Sequence, residues 1–346
     1  MLLLLLAVFE GYWYLNLPYS KAISAAFVTR NEFNKRAWPE FTAGQKPVSQ
    51  KLAVLIGNSQ SCGYEYASDS SVIYPYFLKR DLYSSNILLE NWSIRGIRTT
   101  DIEILTTKAM VKGADLVILS LNPTNFDAPE NINLSFPNTD VKLLLSDWEV
   151  YRAMQNSLLA KHLTFETWLN MKVNCSSNLI RSRTPVFTSM SDGLTLNDQI
   201  FYFGNPITRN LNPDLLKTKN FRNRINHKAD LKEIQATKEA EFIQRMSTFM
   251  QFCRFLKMRA ESLQFKGKIV FVWQPIGMAK VPDEDARLMN AFNHIACSSK
   301  EINGFTFYNH VNALPVRVFE TFAHFDAAGH KLYADKLAIL IKDELQ

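Results

Sequence analysis

Three short apolar runs constrain the fold more than any other feature of this chain. They are LAVLI at Leu52 to Ile56, DLVILSL at Asp115 to Leu121 and KIVFVW at Lys268 to Trp273. Each is rich in Leu, Ile, Val and Phe, and none alternates apolar with polar residues as a strand with one wet face does. Strands that read this way are buried on both faces, which requires a largely parallel sheet with helices on either side. The intervening sequence agrees. A helical stretch is expected at Tyr74 to Tyr83, and TTDIEILTTKAMVKGA leads as a second helix into DLVILSL. After KIVFVW come a helix at Asp283 to Cys297, a short strand in GFTFYN, and a last amphipathic helix. In that helix Tyr333, Leu337, Leu340 and Ile341 share one face. Strands alternating with helices predict an α/β layered fold.

From about Asp127 to Phe265 the pattern changes to long, aromatic-rich segments with helical spacing. Phe242, Met246, Phe249, Met250 and Cys253 mark one apolar face, read as core packing. Residues 127–265 are therefore expected to be a mainly helical insertion or cap on a core made of residues 50–126 and 266–346. With 346 residues, 47% hydrophobic and 21% charged, the chain can bury a sizeable core. Cys62, Cys175, Cys253 and Cys297 are scattered, with neither a CxxC pair nor clustered histidines, so buried free thiols are expected rather than a zinc site.

Residues 207–268 hold fourteen Lys or Arg against six Asp or Glu, a local +8 within a chain of net +6. Such a segment suits an anionic polymer, lipid headgroups or nucleic acid, or is simply a solvated helix face. No nucleic-acid partner is expected, because no recognition motif accompanies the charge. The start, MLLLLLAVFEGYWYLNLP, is apolar for about the length of a membrane span. Residues 1–20 are read as a membrane anchor lacking its upstream end, the chain after about Tyr19 lying outside the cytoplasm. A buried amphipathic helix is the alternative.

Small polar residues follow the strands where open α/β sheets place ligands. Ser59 lies in GNSQS directly after the first run, and Asn125 lies in LNPTNF after the second. Gly96 precedes the helix into the second run, and His324 stands just before the last helix. A serine nucleophile needs a base, something to orient that base, and donors for an oxyanion, and these residues can supply them.

The order Ser, Gly, Asn, His, each in its own block, resembles the SGNH (GDSL-type) hydrolase superfamily. The first block of that family reads GDS, and here Asn58 replaces the aspartate. Gly96 matches the second block. The third, GxND, is altered to Pro123-Thr124-Asn125-Phe126 and keeps the asparagine. The last block matches at His324 and Gly329. Three residues before His324, the family's aspartate is replaced by Thr321, so Glu320 is the nearest acid able to orient the imidazole. Asp326 and His330 are read as a surface charge pair or helix-terminal acid. Ser61, Ser68, Ser70 and Ser71 are read as turn or capping residues, Trp273 and Pro275 as pocket wall or core, and His227 as solvated.

The resemblance implies a three-layer, flavodoxin-like fold and acyl transfer. Ser59 would attack an ester carbonyl and His324 take its proton, with support from Glu320. The N–H groups of Ser59 and Gly96 and the Asn125 amide would hold the oxyanion. Neither a metal nor an organic cofactor is implied. The layout is similar to membrane-anchored members that act on acyl groups of envelope polymers, so an acyl ester or an envelope polymer is the expected substrate. The departures at Asn58, Pro123 and Thr321 suit a rival, an inactive scaffold of this type that binds polysaccharide or a partner protein.

Overall fold

The structure, a computed structural model, describes residues 49–62, 73–94, 96–133, 141–142, 144–172, 231–277, 283–298, 304–321 and 323–346. The chain divides into two compact units, Met1–Ser20 with Asn174–Ala240, and Lys21–Val173 with Glu241–Gln346. Apart from residues 231–240, every described residue belongs to the second unit.

All three apolar runs form strands: β1 (Lys51–Gly57), β3 (Leu116–Leu121) and β4 (Lys268–Trp273). Two more complete the sheet, β2 (Ile87–Asn91) and β5 (Thr306–Asn309). The order is β2-β1-β3-β4-β5 with every neighbouring pair parallel. This is the flavodoxin-like, doubly wound arrangement.

Alternation along each strand divides two apolar layers between the faces of the sheet. Val54, Ile56, Val117, Leu119, Phe271 and Trp273 enter one layer, and Ala53, Leu55, Leu116, Ile118, Val270 and Val272 enter the other. The first face is covered by α3 (Thr99–Val111), α5 (Leu231–Ser262) and α6 (Asp283–Ser298), through residues such as Leu105, Phe249, Phe252 and Phe292. The second is covered by α2 (Tyr74–Tyr83) and α7 (Ala327–Leu345), through Leu78, Tyr333, Leu337 and Ile341. The fold is therefore a three-layer α/β architecture, as the runs require. Two short helices, α1 (Ser59–Cys62) and α4 (Trp148–Ala153), follow β1 and β3 respectively.

The expected insertion at 127–265 lies partly outside the described residues. Its described flanks pack on the sheet: Val150 and Tyr151 of α4 join the same apolar layer as Phe249, Phe252, Cys253 and Leu256 of α5. Cys253 is buried and outside any disulfide, as expected. The anchor expected at residues 1–20 and the basic cluster around His227 lie outside the described residues. No helix among the described residues is long and apolar enough to cross a membrane.

His330 departs from the reading of a surface charge pair. It is buried, its Nδ1 accepts the Tyr74 N–H at 3.3 Å, and its ring packs edge-on against Phe325. Asp326 does cap α7, its Oδ1 accepting the Gly329 N–H at 2.7 Å. One turn into a helix whose first residues are exposed, the position of His330 looks like surface in the sequence. It faces the sheet because α7 lies flat on it.

The direction of the chain sets where chemistry is possible. From β1 the chain crosses by α2 to β2 on one side, then returns by α3 to β3 on the other. The carboxyl ends of β1 and β3 thus flank the point where the strand order reverses, where open α/β sheets bind ligands.

Candidate active site

Ser59 follows β1 and Asn125 follows β3, so both stand at that reversal point. His324 is brought there by a tight turn between Phe319 and Phe325, which form an antiparallel bridge. Ser59 Oγ and His324 Nε2 are 3.0 Å apart. That is hydrogen-bond distance for a nucleophile and its base. Both residues, with Gly96 and Asn125, line a cleft of about 420 Å³.

Gly57 makes the turn at Ser59 possible. A Cβ there would lie 2.2 Å from Ser61 Oγ and 3.1 Å from the Ser120 carbonyl, so only glycine lets α1 fold back onto β1 and β3. Ser61 is the anchor beneath. Its Oγ accepts from Tyr74 Oη and, at 3.1 Å, from Gln274 Nε2, which also donates to the Ser120 carbonyl at 2.8 Å. Ser61 is therefore structural, as read from its turn position. Ser68, Ser70 and Ser71 lie outside the described residues.

The amide orientations are fixed by main-chain donors. The Asn122 N–H points at Asn125 Oδ1 (2.9 Å) and the Gln60 N–H at Asn58 Oδ1 (3.0 Å), and a main-chain N–H can only donate. Asn58 Nδ2 then donates to Asn125 Oδ1 at 3.2 Å. With its oxygen doubly engaged, Asn125 keeps Nδ2 as a donor on the cleft side. Nδ2 donates to the Ile97 carbonyl in a long 3.4 Å contact, and Asn125 lines the cleft. Asn58, which departs from the family pattern, thus caps the first turn of α1 and sets the amide of Asn125.

Gly96 takes φ +65, in the left-handed region, although the space around it is open. Glycine is needed there for its backbone conformation rather than for room. Gln60, just after Ser59, ties the histidine turn down. Its Nε2 donates to the carbonyls of Pro275 (3.0 Å) and Ala323 (2.9 Å). Turning the amide would set Oε1 against both carbonyls, so the orientation holds although Oε1 has no partner among the described residues. Pro275 lines the cleft, whereas Trp273 is core.

Thr321 faces the far side of the imidazole. Thr321 Oγ1 lies 3.2 Å from His324 Nδ1. The same oxygen receives the main-chain N–H groups of His324 (3.1 Å) and Ala323 (3.3 Å). A hydroxyl has two lone pairs and one proton. With both lone pairs facing N–H groups, the proton is what Thr321 has to offer Nδ1. That bond favours the tautomer with hydrogen on Nε2, whereas a base for Ser59 needs Nε2 bare. Glu320 meets His324 through the main chain, its N–H donating to the His324 carbonyl at 2.9 Å. The turn that makes this bond swings the side chain of Thr321 to the ring.

Thr321→Asp is accordingly expected to raise kcat on a short acyl ester by about ten- to a hundredfold, since a carboxylate enforces the Nδ1–H tautomer and stabilises the imidazolium. Steady-state rates of the wild type and the variant check this. An unchanged kcat would mean that Thr321 does not govern the ring.

Asn58 and Gln60 gain their roles from contacts that neither periodicity nor spacing displays. The one signal available was that the GNSQS turn is polar at every position after Gly57. Among the described residues no group of three or more His, Cys, Asp or Glu gathers as a metal site would need. No family model matches the chain, and no curated protein matches it.

Proposed function

We propose that the chain is a serine-dependent acyl-ester hydrolase or acyltransferase of the SGNH type. The observation that carries this reading is the 3.0 Å contact between Ser59 Oγ and His324 Nε2, at the strand ends where Asn125 presents an amide donor. Ser59 Oγ attacks the ester carbonyl carbon while its proton passes to Nε2 of the imidazole tautomer that carries its hydrogen on Nδ1. The carbonyl oxygen becomes an oxyanion facing Asn125 Nδ2 and the N–H groups of Ser59 and Gly96. Collapse breaks the bond to the leaving alcohol, which takes the proton from the imidazolium. Water or another hydroxyl then attacks the acyl-serine by the same steps in reverse. A cleft of about 420 Å³ has room for a small acyl group and part of its carrier. The apolar start and the basic segment support a membrane-anchored, extracytoplasmic enzyme acting on an envelope glycan or polymer.

The uncharged Thr321 at Nδ1 favours a second reading, an inactive scaffold that binds polysaccharide or a partner protein. A fluorophosphonate probe separates the two, because it phosphonylates only a serine that a base activates. Labelling of the purified chain, traced by peptide mass spectrometry to Ser59, is the expected result. No labelling at Ser59 in a folded sample would leave the scaffold.

A further inference from the structure

We infer that Arg245 is a positioning residue for the oxyanion site, acting through the loop that carries Asn125. This rests on the reading of Ser59 as a nucleophile. Arg245 lies on α5, far from the motif blocks in sequence, and its side chain reaches the rim of the cleft. Its Nη1 donates to the carbonyls of Thr124 (3.2 Å) and Phe126 (2.7 Å), the residues on either side of Asn125. The carbonyl of Asn125 itself accepts from Thr99 Oγ1 at 3.3 Å. Thr99 Oγ1 in turn accepts the Asp127 N–H at 2.7 Å. Three consecutive carbonyls are thus each held by a side chain, from helices on two sides of the loop.

The guanidinium is itself fixed. Its Nε donates to Glu241 Oε1 at 3.1 Å and its Nη2 to the same oxygen, one helical turn back. Only a planar fork reaches a carboxylate with one edge and two carbonyls with the other, so lysine is not equivalent here. With the peptide units around Asn125 unable to rotate, Nδ2 stays aimed where an oxyanion forms. The value of such a donor lies in its position before the reaction starts.

The fold does not depend on this clamp. Phe126 is fully buried and packs on Phe249 with ring centroids 4.9 Å apart, which holds the loop through apolar burial. The loop should therefore stay docked in Arg245→Met while Asn125 gains small freedom, and misplacement on the order of 1 Å costs up to about a hundredfold in rate.

The test compares wild type, Arg245→Met, Arg245→Lys, Asn125→Ala and the Arg245→Met/Asn125→Ala double variant in the full chain. The readouts are kcat and KM on p-nitrophenyl acetate and the fluorophosphonate labelling rate at Ser59. Arg245→Met should lose about ten- to a hundredfold in kcat and in labelling rate with KM little changed. Arg245→Lys should recover part of the loss. The double variant should be no slower than Asn125→Ala, since the arginine acts through that amide. Unchanged kcat in Arg245→Met, or losses that multiply in the double variant, would overturn the inference. If Arg245→Met does not fold by circular dichroism, Arg245→Lys alone decides, because wild-type kcat there also overturns it. A wild type labelled at Ser59 keeps such a failure separate from failure of the serine reading. A wild type that is neither labelled nor active removes both.

Discussion

Ser59→Ala is expected to abolish turnover of a short acyl ester, by about four to six orders of magnitude, while leaving the fold intact. The size of the loss follows from the division of labour at the turn. Ser59 supplies the atom that would form the acyl bond, and its hydroxyl lies in hydrogen-bond contact with His324 Nε2. What holds the turn is elsewhere: Gly57 provides clearance, Ser61 the buried anchor and Asn58 the cap. His324→Ala should cost nearly as much, because the two act as a unit, whereas Glu320→Gln should cost far less. The measurement is residual kcat alongside far-UV circular dichroism. Unchanged turnover with an unchanged spectrum would take Ser59 out of the chemistry. A loss in Glu320→Gln equal to that in His324→Ala would make Glu320 the third member.

Arg259→Ala is expected to destabilise the domain by about 3–5 kcal/mol, a large share of what a domain of this kind has. Arg259 and Glu103 form an ion pair at 2.9 Å with both side chains fully buried between α5 and α3. Arg259 Nη1 also donates to the Asn156 carbonyl at 2.8 Å, and Glu103 accepts the Leu158 N–H at 3.1 Å. The pair thus joins two helices to the turn after α4. Burial pushes the Glu103 carboxyl up from 4.5, while Arg259 and then Leu158 pull it back. Without the arginine the carboxyl rises further. A folded-state pKa above the unfolded one means that the folded chain binds the extra proton, so stability falls as pH rises from about 4.5 toward the raised value. The loss in the variant should therefore be larger at pH 8 than at pH 5. Urea midpoints at the two pH values check this, and an equal loss at both would mean that packing, not charge, carries the effect.

The sheet was legible because its three central strands are buried on both faces, and such strands cannot disguise themselves as anything polar. β2 was not read. ILLEN is short, sits at the sheet edge and ends in Glu90 and Asn91, so it lacks both the length and the apolar continuity of its neighbours. The helices at 74–83 and at the carboxyl end were legible from spacing, and their apolar positions are the ones that cover the sheet. The stripe on α5 was recognised as core packing, but not that this core is the sheet itself, since amphipathicity shows a buried face without naming what covers it. At the site, Ser59, Asn125 and His324 could be placed from their positions beside strands and a helix, and the structure brings all three into one cleft. Thr321 was visible as the occupant of the acid's place, though not as the group touching Nδ1. Arg245 left no trace at all. The contacts that reach the Asn125 loop are with main-chain carbonyls more than a hundred residues away, and a carbonyl has no letter in a sequence.

The separation of Ser59 from His324 also has a consequence in time. A ribosome releases the serine 265 residues ahead of its base. At about 5–20 residues per second, that is a lag of roughly 13 to 53 seconds. Through that interval the nascent chain carries an ordinary alcohol on a half-built sheet, since β4, β5 and the histidine turn are still to come. On the proposed reading, ester chemistry would be silent until the last turn docks, and any fragment ending before His324 would be harmless to esters it meets on the way.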